Sequence, residues 1–341
     1  MTVQIILQGR HARARKRGIA IALLAAALGL GFVLSLMIGR TFYGLDEVIP
    51  AVLGNSDSGA AFTVGELRFP RATLAILAGF AFGTAGATFQ TLLGNPLASP
   101  DILGITSGAG AAAVLGIVVL GVNDSMVSLF ALIGALATAA AIFMLSSSGG
   151  FAGMRFILIG IGLAAILQSI TSYMIARAGE WDIQRAMQWL TGSLSGANWQ
   201  SVLPLAVASI ALLPVLFVHA RTLELLRFGS DTALGLGVPV GRARLIVILA
   251  AVALLAVATA ACGPIMFVAF MAGPIAARIV GAGRSLLLPA GMMGSLIVLA
   301  SDFAGQYLFG GKYPVGVVTG VLGAPVLIIL LIRMNRTANA L

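Results

Sequence analysis

Uncharged apolar runs recur along the chain, most of them close to the ~20 residues that cross a hydrocarbon core as a helix. They fall at 18–39, 70–92, 102–121, 125–146, 154–177, 199–220, 243–264, 266–281, 286–308 and 315–333. Runs that are apolar all round predict helices buried in lipid or in one another. The seventh and eighth form one continuous apolar stretch, and Gly263-Pro264 divides it because that pair punctuates a helix. The pattern therefore predicts an all-α membrane protein with ten transmembrane helices and both termini in the cytoplasm. A single ten-helix transmembrane domain covers 18–336, between a basic tail at 1–17 and a short tail at 337–341.

The intervening polar stretches differ in character. Residues 40–67 hold Asp46, Glu47, Asp57 and Glu66 and read as an outer loop. Residues 179–200 carry Trp181, Met187, Trp189 and Leu190 among polar positions, which predicts a short helix at the membrane interface, where tryptophan is favoured. Residues 219–244 mix leucines with charges and are punctuated by Gly229, Gly235, Gly237 and Pro239. They predict short amphipathic helices facing the cytoplasm.

Composition agrees with the pattern. The 341 residues are 60% hydrophobic and 9% charged, against roughly 25% charged in a soluble domain. Mean hydropathy is +1.07. The 43 glycines suit close helix packing in lipid. The net charge of +9 forms no continuous soluble patch, which argues against nucleic acid as a partner. It follows the positive-inside bias instead. Arg10, Arg13, Arg15, Lys16 and Arg17 precede the first span, and most other arginines fall in inner connections. Arg40, Arg68, Arg71, Arg177, Arg185 and Lys312 fall outside. The first apolar run is longer than a signal-peptide core, so it reads as a retained span. Cys262 is the one cysteine, so no intrachain disulfide can form. No G-x-x-x-x-G-K-[ST] phosphate loop is present, so the chain is not expected to hydrolyse nucleotide by itself.

Five segments, in order, carry a resemblance: LRFPR from Leu67, GNPLASPDILGITSGAG from Gly94, GPIMFVAFMAGPIAARIVG from Gly263, LLLP from Leu286 and PVGVVTGVLGAP from Pro314. Together they resemble the FecCD-type permeases, the membrane subunits of ABC importers for ferric siderophores, haem and cobalamin. The resemblance runs from about Arg40 to Arg336. It implies a ten-helix subunit paired with a second permease copy or a paralogue. A cytoplasmic ABC ATPase dimer carrying ATP and magnesium would drive it, and an extracytoplasmic binding protein would deliver the substrate. No cofactor is expected on this chain itself.

The resemblance also assigns residues. Arg68 and Arg71, with Glu66 beside them and Lys312 across the outer side, would dock the binding protein. Guanidinium suits that task because it bonds carboxylates in bidentate fashion. A third basic contact of the cobalamin relative falls here on Gln306. Asn95, Pro96 and Leu97 would narrow the inner end of the pathway, opposite Gly153, Met154 and Arg155, with Gly149 and Gly150 lending mobility. They also read simply as a helix stop. Gln90, Thr91, Gln168, Ser169, Thr171 and Ser172 either line the pathway or bridge helices.

Asp231-Thr232-Ala233-x-x-x-Gly237 is a degenerate match to the importer element that fits the ATPase. It makes Arg227, Asp231, Ala233, Gly235, Gly237, Val238 and Arg242 the candidate coupling residues. Asp302 is an intramembrane acid. Such an acid can serve proton coupling, but here it reads as a hydrogen-bonding strut between helices. Pro274 stands where the family commonly has histidine, and no protein–metal bond is expected.

The expected function is passage of a ferric siderophore across the bacterial cytoplasmic membrane, with cobalamin or haem as the same-class alternative. A proton-driven secondary transporter would need a relay of buried ionisable groups, and Asp302 alone does not make one.

Overall fold

The computed structural model describes residues 2–54, 60–100, 104–146, 153–281 and 284–338. Among these residues the chain is helical, with no strand. Fourteen α-helices follow in order: α1 Thr2–Met37, α2 Leu45–Val52, α3 Phe69–Leu92, α4 Ile105–Val114, α5 Asp124–Ser146, α6 Gly153–Ala176 and α7 Glu180–Leu190. Then come α8 Trp199–Val218, α9 Ala220–Leu226, α10 Ser230–Gly235, α11 Val240–Cys262, α12 Val268–Val280, α13 Leu287–Tyr307 and α14 Val315–Ala338. Seven helical stretches are long and apolar enough to cross a membrane. Three shorter apolar helices, Ile105–Val119, Val268–Val280 and Val315–Leu330, stand at the other expected spans.

Helix α3 is the axis of the fold. In its most apolar window 78% of residues are buried, against 17% for α1 and α6 and 22% for α8. Its small residues make that burial possible. Gly79 and Gly83 lie against Gly294 and Ala290 of α13, where an added Cβ would strike the facing backbone. Gly86 meets Ala269 of α12 in the same way. Small residues one turn apart let helix backbones approach closely where lipid supplies no hydrophobic drive. Polar side chains add staples: Ser295 Oγ donates to the Ile76 carbonyl at 2.7 Å, and Thr84 Oγ1 to that of Leu287 at 3.4 Å.

Two stretches depart from the sequence expectation. Residues 40–67, read as a loop, contain α2 and a π-helical lead-in, Ala61–Arg68, that runs straight into α3. Val48, Ala51 and Val64 of these turns are buried, and that packing outweighs the polar content. The basic tail is not separate either: α1 is one helix from Thr2 onward, and Arg17 donates to the Ser285 carbonyl. The break between α11 and α12 stands at the expected Gly263, with φ 73°. Phe267 then takes φ 64°, the one non-glycine left-handed residue among those described.

Candidate functional site

The two ends of α3 hold most of the candidate residues. At its start lie Arg68 and Arg71. Helix α1 ends with carbonyls that have no partner within the helix, and Arg68 bonds two of them. Its Nη1 donates to the Leu36 and Met37 carbonyls at 2.8 and 3.0 Å, and its Nη2 to Thr41 at 2.8 Å. The guanidinium also sits over the Tyr43 ring, 5.1 Å from its centre.

Arg71 is held differently. Nε donates to Asp302 Oδ2 at 2.9 Å and Nη2 to Oδ1 at 2.8 Å, a side-on bidentate pair joining α3 to α13. Gln306, one turn along α13, donates from Nε2 to Oδ2 at 2.7 Å. Asp302 is thus an interhelical partner of Arg71, and the pairing spans 231 residues of sequence. Glu66 and Lys312 are exposed. A cavity of about 670 Å³ opens between α5, α8 and α11. Its apolar floor is Leu74, Val257 and Ala260, and its rim holds Trp189, Asn198 and the Arg185–Asp124 ion pair. Neither Arg68 nor Arg71 lines it.

The other end of α3 is built from two turns of one design. Helix α3 stops at Gly94, φ 61°, whose N–H donates to the Thr91 carbonyl while that of Asn95 donates to Gln90. That is the Schellman pattern, which requires a left-handed residue after the helix. The stop is therefore Gly94, ahead of the proline. Asn95 instead folds the next turn, its Oδ1 accepting from the Leu97 N–H at 2.9 Å and its carbonyl from that of Ala98 at 3.0 Å. This turn tips Leu97 against the cluster of Phe270, Met271 and Leu330 on α12 and α14.

Helix α10 ends identically. Gly237, φ 82°, donates to Leu234, and Val238 donates to Ala233. The spacing Ala233-x-x-x-Gly237 thus has a physical meaning: a buried small residue and a left-handed stop. Ala233, fully buried, packs with Leu226, Val238 and Val240 on Leu92, the last residue of α3. The opposite face of this knob is open, with Asp231 and Gly235 exposed and Phe228, Leu234 and Leu236 at 71%, 56% and 61% exposure. Arg227 and Arg242 flank it, both exposed.

The remaining predicted residues separate. Gln90 is buried and donates from Nε2 to the Phe270 carbonyl at 3.0 Å, bridging α3 and α12. Gln168, Ser169 and Ser172 lie on an exposed face of α6 with Ile161, Ile166, Ile170 and Tyr173. Thr171 is buried on the other face. Gly153 begins α6. Gly149 and Gly150, and the side chain of Met154, lie outside the described residues. Among the described residues no cluster of three or more His, Cys, Asp or Glu could hold a metal.

Residues 27–333 match the FecCD transport family. The chain belongs to that family. The resemblance read from five motifs is thereby confirmed over almost the whole chain. Among FecCD relatives, the ferric enterobactin transport system permease FepG of Escherichia coli K12 is 37% identical over 323 residues, covering 94% of this chain and 98% of FepG. The Fe(3+)-citrate import permease YfmE of Bacillus subtilis 168 is 36% identical, covering 94% and 96%. A solved metal-chelate type ABC transporter in an inward-facing conformation superimposes with a TM-score of 0.82 at 25% identity, covering 92% of this chain and 98% of that one. This FecCD protein is a permease subunit of an ABC transporter, and not an enzyme.

Proposed function

We propose that this permease carries a ferric siderophore across the bacterial cytoplasmic membrane through ten spans with both termini inside. A soluble binding protein delivers the substrate at the Arg71 end, and an ATPase dimer with ATP and magnesium works at the α10 end. The observation that carries this reading is the seat of α10. Its buried side rests on Leu92, two residues before the Gly94–Leu97 turn, and its open side is apolar with charged edges. An exposed apolar patch rimmed by charge suits a protein partner. A push on α10 would reach the inner end of α3 and the turn that holds Leu97 against α12 and α14. That turn serves as the gate, with the start of α6 opposite. The exposed face of α6 is the surface for a second permease copy and for the pathway between the two.

Docking is assigned to the corner of Arg68, Arg71, Glu66 and Lys312. Arg68 secures the end of α1, and Arg71 makes the contact. The relatives named as ferric-chelate permeases support iron as cargo, with haem and cobalamin as the competing substrates. Uptake of labelled ferric siderophores, haem and cobalamin by a deletion strain tests the assignment. Restoration of ferric siderophore uptake alone supports it, and restoration of cobalamin uptake alone rejects it.

A further inference from the structure

The bond pattern around Arg71 leaves part of its guanidinium unused. The group has five N–H donors. Asp302 takes two of them from the side, through Nε and Nη2. Nη1 makes no hydrogen bond among the described residues, and it is not among the buried atoms lacking a partner, so it reaches solvent. The Nη1–Nη2 edge is a second fork, able to hold another carboxylate while the first stays bound. Asp302 is in turn fixed, its side chain 6% exposed and its Oδ2 also bonded by Gln306. Without that clamp the arginine, 22% exposed, would sample several rotamers at the rim, and ordering one on contact costs entropy.

We propose that Asp302 is a positioning residue for docking. It locks Arg71 so that the Nη1–Nη2 edge is presented, preformed, to a carboxylate of the soluble binding protein, and Gln306 locks Asp302. The inference rests on the docking role assigned to Arg71. It makes an unusual demand: the docking point is a neutral ion pair, so orientation rather than net charge has to supply the affinity.

That demand gives a test with opposed signs. Asp302→Asn raises the charge of the corner by one, which on charge alone would tighten an acidic partner. Positioning predicts the reverse. The assembled transporter, permease with ATPase in nanodiscs, is titrated with its soluble binding protein, and thermal unfolding is followed in parallel. Asp302→Asn is expected to weaken binding about tenfold or more in the folded fraction. Unchanged or tighter binding overturns the proposal. Arg71→Gln separates the two layers: if it leaves affinity intact, the docking reading itself fails. If it weakens binding while Asp302→Asn does not, docking stands and positioning fails. The exchange Arg71→Asp with Asp302→Arg keeps an ion pair between the helices. It is expected to recover thermal stability without affinity, and recovery of both rejects the proposal. Should Asp302→Asn not assemble, Gln306→Leu reads the same clamp, with about a threefold loss expected and no loss contradicting it.

Discussion

Substituting Gly83 by alanine sets two known effects against each other at the crossing of α3 and α13. Alanine favours a helix over glycine by about 1 kcal/mol. At Gly83 that gain meets an obstacle, because the new Cβ would lie 2.9 Å from the Ala290 carbonyl carbon and 3.3 Å from Ala272 Cβ. The first neighbour is backbone, which cannot rotate away, so the helices must separate. Overpacking of this kind costs about 1–3 kcal/mol, leaving Gly83→Ala destabilised by up to about 2 kcal/mol. Gly29 of α1 is the matched control. It is helical too, but nothing lies within 4 Å of its Cβ position, so Gly29→Ala should keep the helical gain. At roughly 2 °C per kcal/mol for a large chain, the two variants move Tm in opposite directions. Cys262 provides the assay: it is buried and is the one thiol, so a thiol-reactive dye in detergent reports unfolding directly. A rise in Tm for Gly83→Ala, or the same shift for both variants, would refute the close-packed axis.

Three further outcomes test the inner end of α3 and the absence of a metal site. Gly235→Trp is expected to leave the permease folded, since nothing lies within 4 Å of that position, but to uncouple ATPase activity from uptake; coupled transport at the wild-type rate excludes α10 as the contact. Gly237 is the poorer test, because its φ of 82° strains any side chain whatever its size. Cysteines at Leu97 and Met154 in a Cys262→Ser background should, once cross-linked, arrest uptake reversibly, and continued uptake when fully cross-linked removes the gate. Inductively coupled mass spectrometry of the purified permease should find iron well below one per chain, whereas stoichiometric iron would mean that the protein itself binds the metal.

Helices were legible because lipid leaves the sequence few options: apolar length and Gly-Pro breaks placed α11 and α12 on either side of Gly263. The lead-in Ala61–Arg68 was not legible, because its turns carry Thr63 and Glu66 and are held by packing against α2. At the candidate site, local chemistry could be anticipated and distant pairing could not. A turn at Asn95 is readable from its residue types, whereas the left-handed stop at Gly94 shows only in the folded backbone. The left-handed demand at Gly237 comes from the Schellman turn that ends α10. The pairing of Arg71 with Asp302 joins residues 231 apart, and no spacing rule connects them. Asp302 reads from sequence as a strut between helices, but its partner Arg71 emerges only when α3 and α13 are packed together. Burial of Gln90 against the Phe270 carbonyl likewise depends on α12 arriving beside α3.

The most direct measurement is uptake of a radiolabelled ferric siderophore into proteoliposomes containing the permease and its ATPase, with the loaded binding protein outside. Accumulation is predicted only when ATP, the ATPase and the binding protein are all present, and it should be indifferent to a proton gradient. Accumulation driven by a proton gradient without the ATPase would contradict the account and return Asp302 to the role of a proton carrier.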